Sequence, residues 1–458
     1  MNRVLFITLH FPPSRDIGAL ACEQIARFLP AYGWDPVVLT RPRHLIEMGD
    51  RKGPRTFSGK IVEADVLPHP LSIYRRLKQI LRKTAASNAP AAEERREQPG
   101  RLRRWILSLL MVPDSYTGWI LPATIAALRA IRREQITHII SSGPYWTNHL
   151  VAMIVAKISG VSWTAHYRDP WNQVPQMKPV SALSSFLEKR LERLVVARAD
   201  SVVCVTDAHT RLLRQIFPAV RADKFITIPN GFDGEEWDQC VASTSDRSKF
   251  TITYAGSFMM GKRTPRPLFS ALRKLVDAGD VDASALRVDL FGTCDIAEGI
   301  PVRDMAAQYG LAEVISVSST LCRQETLQRM LTADLLLLLA EGWTLQIPGK
   351  TYEYLRAGRP ILALTTEGAL ADLLRRTGGA WIADPSDEAA IARAIHEAYA
   401  GSCPHTDAAL IADFDRRRLA GQFAALFSAQ LNPNRLAPHP VPLPASGERV
   451  QGEGFSTN

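Results

Sequence analysis

The sequence predicts an α/β protein built from two doubly wound parallel-sheet domains that face each other across a cleft. Short, uninterrupted apolar runs bounded by Gly or Pro recur along the chain, and Asp334-Leu335-Leu336-Leu337-Leu338-Leu339-Ala340 is the plainest. Strands buried on both faces of a parallel sheet read this way. Helical patterns separate the runs, and that alternation builds parallel sheets. The alternation stops over a polar stretch at about 234–248 and then restarts, so the 458 residues divide into two units.

The first strand is the run 4–9. The loop Phe11-Pro12-Pro13-Ser14-Arg15-Asp16-Ile17-Gly18 follows, then an amphipathic helix over 19–32 closed by Gly33, then a strand at 37–40. The loop has Gly18 but no G-x-G-x-x-G, so it is not a dinucleotide fingerprint, and a dehydrogenase is disfavoured. A basic, irregular insert spans about 42–118. The excess behind the net charge of +9 lies between Arg41 and Arg133. It includes a basic helix at 75–83 and a run of arginines beside Trp105 and aliphatics at 101–112; the polar run 84–100 between them reads as a flexible loop. Such segments fit a helix lying on an anionic membrane surface, and a packed helix with a solvated basic end is the plainer alternative. No nucleic-acid recognition module accompanies the charge.

Regular alternation resumes near Leu128. Strands are predicted at 138–143, up to about 167, at 201–206 and at 225–228, with a long helix over 181–199 and a turn at Pro229-Asn230-Gly231-Phe232-Asp233. The first domain is therefore 1–233, the linker 234–248 and the second domain 249–404, with strands at 250–257, 287–293, 314–317, 334–340, 361–364 and 381–384. A single last helix over 405–430 is long enough to reach back to the first domain. The Pro-, Gly- and Ser-rich tail 431–458 reads as disordered. Cys22, Cys204, Cys240, Cys294, Cys322 and Cys403 form no C-x-x-C and read as buried, reduced thiols of a cytoplasmic protein. No apolar run is long enough to span a membrane, and no His/Cys cluster suggests a metal.

The stretch Ile347-Pro348-Gly349-Lys350-Thr351-Tyr352-Glu353-Tyr354-Leu355-Arg356-Ala357-Gly358-Arg359-Pro360 holds the strongest candidate site. It predicts one short helix stopped by Gly358 and Pro360. A helix N-terminus after a parallel strand favours anions. Lys350 adds a mobile positive charge there, and Glu353, one turn in, offers an acceptor for sugar hydroxyls. An ordinary crossover with Lys350 solvated and Glu353 stabilised by the helix dipole explains the same residues.

This stretch, with Phe11-Pro12-Pro13 and Gly18, His166-Tyr167-Arg168-Asp169-Pro170-Trp171, Ile228-Pro229-Asn230-Gly231-Phe232-Asp233 and Tyr254-Ala255-Gly256-Ser257, resembles the family-4 nucleotide-sugar glycosyltransferases of the GT-B fold, in particular those of bacterial exopolysaccharide and O-antigen synthesis. The resemblance implies transfer of a sugar from a UDP- or GDP-sugar to a lipid-linked or glycan acceptor at the inner face of the cell membrane. It also implies retention of configuration, with cations in place of a metal. Many members carry two glutamates seven residues apart; Glu353 matches the second, while Glu341 lies farther upstream, in what reads as an altered donor loop.

A departing diphosphate needs preorganised positive charge and N–H donors. Lys262, Arg263, Lys350 and the N–H groups at Gly349 form a plausible clamp. Gly256 and Ser257 would let the donor approach the backbone, and Gly18 would stand at the facing strand end, because open α/β sheets bind ligands beyond the carboxyl ends of their strands. The donor-side candidates are completed by Tyr352, Glu353 (for the ribose hydroxyls) and Glu341. His166 and Asp169 are the first-domain polar groups nearest a strand end, and one of them could orient the acceptor hydroxyl or act as base. Arg168 and Asp169 could instead be a buried pair fixing their loop. Asp413-Phe414-Asp415 reads as a solvated helix face. A GT-B nucleotide-sugar 2-epimerase and a non-catalytic nucleotide-sugar-binding partner are the alternatives.

Overall fold

A computed structural model describes residues 1–14, 17–46, 57–68, 111–173, 181–240, 248–258 and 263–431. The first sheet has seven strands: β1 Asn2–Ile7, β2 Trp34–Thr40, β3 Lys60–Glu63, β4 His138–Gly143, β5 Ser162–Tyr167, β6 Ser201–Cys204 and β7 Phe225–Thr227. Their spatial order is β3-β2-β1-β4-β5-β6-β7, and every pairing is parallel. The second sheet is formed by β8 Phe250–Ser257, β9 Leu286–Thr293, β12 Ile315–Ser318, β13 Leu335–Leu339, β14 Ile361–Leu364 and β15 Ala380–Ala383, in the order β12-β9-β8-β13-β14-β15. It too is parallel throughout. A two-stranded hairpin, β10 Ile296–Ala297 with β11 Ile300–Pro301, lies outside it. The strand order reverses between β1 and β4 in one sheet and between β8 and β13 in the other. At such a switch point the connections diverge to opposite faces and leave a crevice.

Local signals account for several boundaries. All five leucines of β13 are buried, and each contributes about 1.5–3 kcal/mol relative to exposure. Ser181 caps the helix Ala182–Arg198 by accepting from the Ser184 N–H, in a reciprocal box with the Ser184 hydroxyl. The helix Lys350–Ala357 ends at Gly358, whose φ of 65° is left-handed and suits glycine.

Several expectations are corrected. The linker stretch from 234 opens with the helix Gly234–Asp238, and its Trp237 is buried in the second-domain core. The final helix is two helices, Ala408–Ala412 and Arg416–Leu431. The break falls at Asp413-Phe414-Asp415, which is not a helix face: Phe414 is buried and its ring meets Tyr352 edge-on. The backbone is diverted there because it pairs with the other crossing segment. Phe232 N–H donates to the Phe414 carbonyl (3.1 Å) and Arg416 N–H to the Phe232 carbonyl (2.8 Å). A Cβ on Gly231 would lie 1.9 Å from the Phe414 oxygen, so the two segments can touch only at glycine.

The helix Arg416–Leu431 packs Leu419, Phe423 and Phe427 against Val4, Phe6, Val38 and Val203 of the first sheet. All six cysteines are free, but Cys322 and Cys403 are exposed and Cys240 is half-buried. Among the described residues no helix is long and apolar enough to cross a membrane. The basic helix expected at 75–83, nearly all of the segment 101–112, the tail 432–458 and Lys262 lie outside the described residues.

Candidate functional site

The second-domain wall forms where β8 ends beside β13. Lys350 opens the next helix, but its amino group is fixed rather than mobile. The ammonium lies 3.7 Å from the Tyr254 ring centroid and donates to the Ala255 carbonyl at 3.0 Å. Gly256 is required beneath it, since a Cβ would come within 2.8 Å of Nζ. Burial, reinforced by the Arg263 guanidinium, holds Lys350 well below the ordinary lysine range. Arg263 reaches the Ser257 carbonyl (3.5 Å). It also lines a small pocket with Thr264, Leu339, Ala340, Glu341 and Leu364, beyond the carboxyl ends of β13 and β14. Glu341 is exposed at that mouth. Among the described residues neither Lys350 nor Arg263 is paired with a carboxylate. The Cys294 thiol faces the Gly256 carbonyl (3.3 Å), and burial pushes it up to about 12, so it is a neutral neighbour.

Glu353 and Tyr352 depart from their expected surroundings. Glu353 is clasped by Arg323 (2.7 Å), which also holds Glu236 at 2.8 Å. Nothing local in the sequence marks that partner, thirty residues upstream. Tyr352, a donor-side candidate, is 1% exposed and packs on Phe414. At about 3.6 residues to the turn, its place two positions after Lys350 puts it on the opposite side of the helix. Gly349 precedes the helix, and its carbonyl accepts from Tyr352 N–H (3.3 Å).

On the first-domain wall, Ser142 at the end of β4 is the hub. Its hydroxyl meets His166 Nδ1 at 3.3 Å and accepts from Arg168 Nε at 3.0 Å. Arg168 also donates to the Pro144 carbonyl (2.8 Å) and spreads over Gly18, where a Cβ would lie 2.0 Å from Nη1. Arg168 and Asp169 are therefore not the pair that adjacency suggested: Asp169 accepts a short bond from Gln346 of the second domain. Thr206 donates to the Leu345 carbonyl (2.7 Å), so the loop after β13 reaches the first domain at two points. His166 is buried against the edge of Phe423. Burial, with the charges of Arg168 and Arg416, holds it well below its ordinary pKa and therefore neutral. Arg416, which sequence reasoning missed, is 5% exposed at the start of the returning helix.

The structure thus brings Gly256, Ser257, Arg263, Lys350 and Glu341 to one wall, and Gly18, His166 and Asp169 to the other. The first wall can hold an anion, and the second offers a neutral imidazole and a carboxylate. Among the described residues no group of three potential metal ligands occurs.

Residues 18–231 match the glycosyl transferase 4-like domain family. No curated protein matches the chain in sequence. Solved structures share its architecture. Sucrose-phosphate synthase from Thermosynechococcus elongatus superposes with a TM-score of 0.58 at 16% identity, over 95% of this chain and 99% of that one. The Anabaena HepE protein, in complex with UDP-glucose, gives 0.55 at 14% identity over 95% and 99%. WaaG, a glycosyltransferase involved in lipopolysaccharide biosynthesis, gives 0.53 at 12% over 93% and 99%. The chain therefore has the GT-B fold, and its residues 18–231 match a glycosyl transferase 4-like domain.

Proposed function

We propose that the protein moves a sugar from a nucleotide-diphosphate sugar to a lipid-linked or polysaccharide acceptor in cell-surface glycan synthesis, with retention of configuration. The observation that carries this reading is the pair Lys350 and Arg263, set beyond the second sheet without carboxylate partners among the described residues. A departing diphosphate is the anion such a pair is suited to stabilise, and it needs no metal there. Donation from Lys350 to the diphosphate would replace its bond to the Ala255 carbonyl. Glu353 would take the ribose hydroxyls while Arg323 holds its carboxylate in place. Asp169, already bound to the loop after β13, or His166 would orient the acceptor hydroxyl. The UDP-glucose complex of the Anabaena neighbour supports a UDP-sugar as donor. The basic segments at 75–83 and 101–112 would hold the chain to anionic headgroups on the inner membrane face.

The test is a thermal-shift panel of UDP-, GDP-, ADP- and CMP-sugars. One nucleotide class should raise the melting temperature, and Lys350→Ala and Glu353→Ala should each abolish that shift. A shift that survives both substitutions overturns the donor-site assignment. NMR of the incubated donor separates transfer from epimerisation, since a free epimer formed without acceptor would identify a 2-epimerase instead.

A further inference from the structure

We propose that Arg168 and Arg416 form a second anion site, on the first-domain wall of the cleft, that takes a phosphate group. The two guanidiniums come from distant parts of the chain. Arg168 leaves the end of β5, and Arg416 opens the helix that returns from the second domain. Both charges act on His166 and on each other, and His166 meets Ser142 on one side and Phe423 of the Arg416 helix on the other.

Among the described residues both are held, and neither is paired with a carboxylate. Arg168 is aimed by two bonds, Nε to the Ser142 hydroxyl and Nη2 to the Pro144 carbonyl, which leave Nη1 over Gly18. Arg416 is 5% exposed, and among the described residues it has only a long contact from Nη2 to Asn230 Oδ1 (3.5 Å) and leaves its buried Nε without a partner. Among the described residues neither forms an ion pair with a carboxylate; the nearby Glu353 is taken by Arg323. Buried cations are ordinarily paired, because desolvation of an unpaired charge costs several kcal/mol. The planar fork of arginine matches phosphate oxygens. Gly18 lies in the first turn of the helix Ile17–Phe28, which carries no acid there, so the field of that helix end has the same sign. Burial also lowers Arg416 to about 10, still charged at neutral pH.

The proposal rests on the transferase reading for its role. Lys350 and Arg263 serve the donor diphosphate from one wall. The opposite pair would take either a phosphate carried by the acceptor or the far side of that same diphosphate. The chemistry is shared, and the sources are separable.

Inorganic phosphate is titrated calorimetrically into the full chain at ionic strength matched with chloride. We expect binding to the native chain and at least tenfold weaker binding to Arg168→Gln and to Arg416→Gln. Circular dichroism and melting report folding. Where a glutamine variant does not fold, Arg168→Lys or Arg416→Lys decides, since each keeps the charge but loses the fork and should bind severalfold more weakly. Saturating UDP that leaves the phosphate isotherm unchanged assigns the site to an acceptor phosphate, and UDP that displaces phosphate assigns it to the donor. Absence of phosphate binding, binding untouched by the arginine changes, or binding lost only in Lys350→Ala overturns the proposal. If UDP does not bind while phosphate binds through the two arginines, the donor reading fails and this site stands.

Discussion

Strands β4 and β13 occupy equivalent places: each lies beside the first strand of its sheet at the point where the order reverses. Their contents are opposite. β13 is Leu335 to Leu339 and makes no side-chain hydrogen bond that could aim anything. β4 runs His138-Ile139-Ile140-Ser141-Ser142-Gly143, and its polar side chains are all engaged. His138 meets the Thr164 hydroxyl at 3.0 Å. Ser141 meets His149 at 2.7 Å and accepts from Trp163 at 2.8 Å, while Ser142 serves His166 and Arg168. β13 is an inert platform, with the cations beside it supplied from the flanking segments. The first sheet itself positions the groups at its open end. Polar networks of this kind fix a geometry but fail together when one member changes.

Acid should break this symmetry most strongly. His138 and His149 are pushed down to about 3 and His209 to about 4 by burial, and His166 is also held well below its usual value. The native state keeps these rings neutral, whereas the unfolded chain protonates them below about pH 6.5. Unfolding therefore takes up protons in that window, and stability falls as pH drops from 6.5 towards 4. Each ring costs up to about 1.4 kcal/mol per pH unit, or roughly 5 kcal/mol per unit for four. Hydrogen exchange at pH 5 should open β4, β5 and β6 while β8, β13 and β14 stay protected; loosening of the second sheet first would contradict the comparison.

Leu337→Ala tests the platform. It should cost about 2–5 kcal/mol through the cavity left behind, read by denaturant unfolding, with any weakening of donor binding following from instability alone. Lys350→Ala should do the reverse, leaving the melting temperature nearly unchanged and weakening the nucleotide sugar by about 1.5–3 kcal/mol, roughly tenfold to a hundredfold. Calorimetric affinities within twofold of native would remove Lys350 from the donor site. The smallest change is Ser142→Ala. Loss of one hydroxyl shared by His166 and Arg168 should cost about 1–2 kcal/mol of stability, measured by chemical denaturation.

The sequence made the sheets legible because their signals are local. An unbroken leucine run, a serine before a helix and a glycine after one each act within a few residues. The cations at Lys350 and Arg263 were legible for the same reason, since both follow strand ends. What stayed hidden depends on long-range pairing. No pattern near Glu353 points to Arg323, and adjacency wrongly joined Arg168 to Asp169. No local signal singled out Arg416. The split of the last helix was invisible because its cause, the bond between Phe232 and Phe414, joins positions far apart in the chain. Residues 413–415 read as helix surface, and nothing local marked Phe414 as buried.

The returning helix has a consequence for synthesis. Val4, Phe6, Val38 and Val203 lie on one face of the first sheet, and Leu419, Phe423 and Phe427 cover it. These covering side chains leave the ribosome only after the whole second sheet has been translated. Until then the first domain presents an open apolar face, so its completion waits on translation of the last helix, and a ribosome stalled between the two would hold a nascent chain prone to chaperone capture.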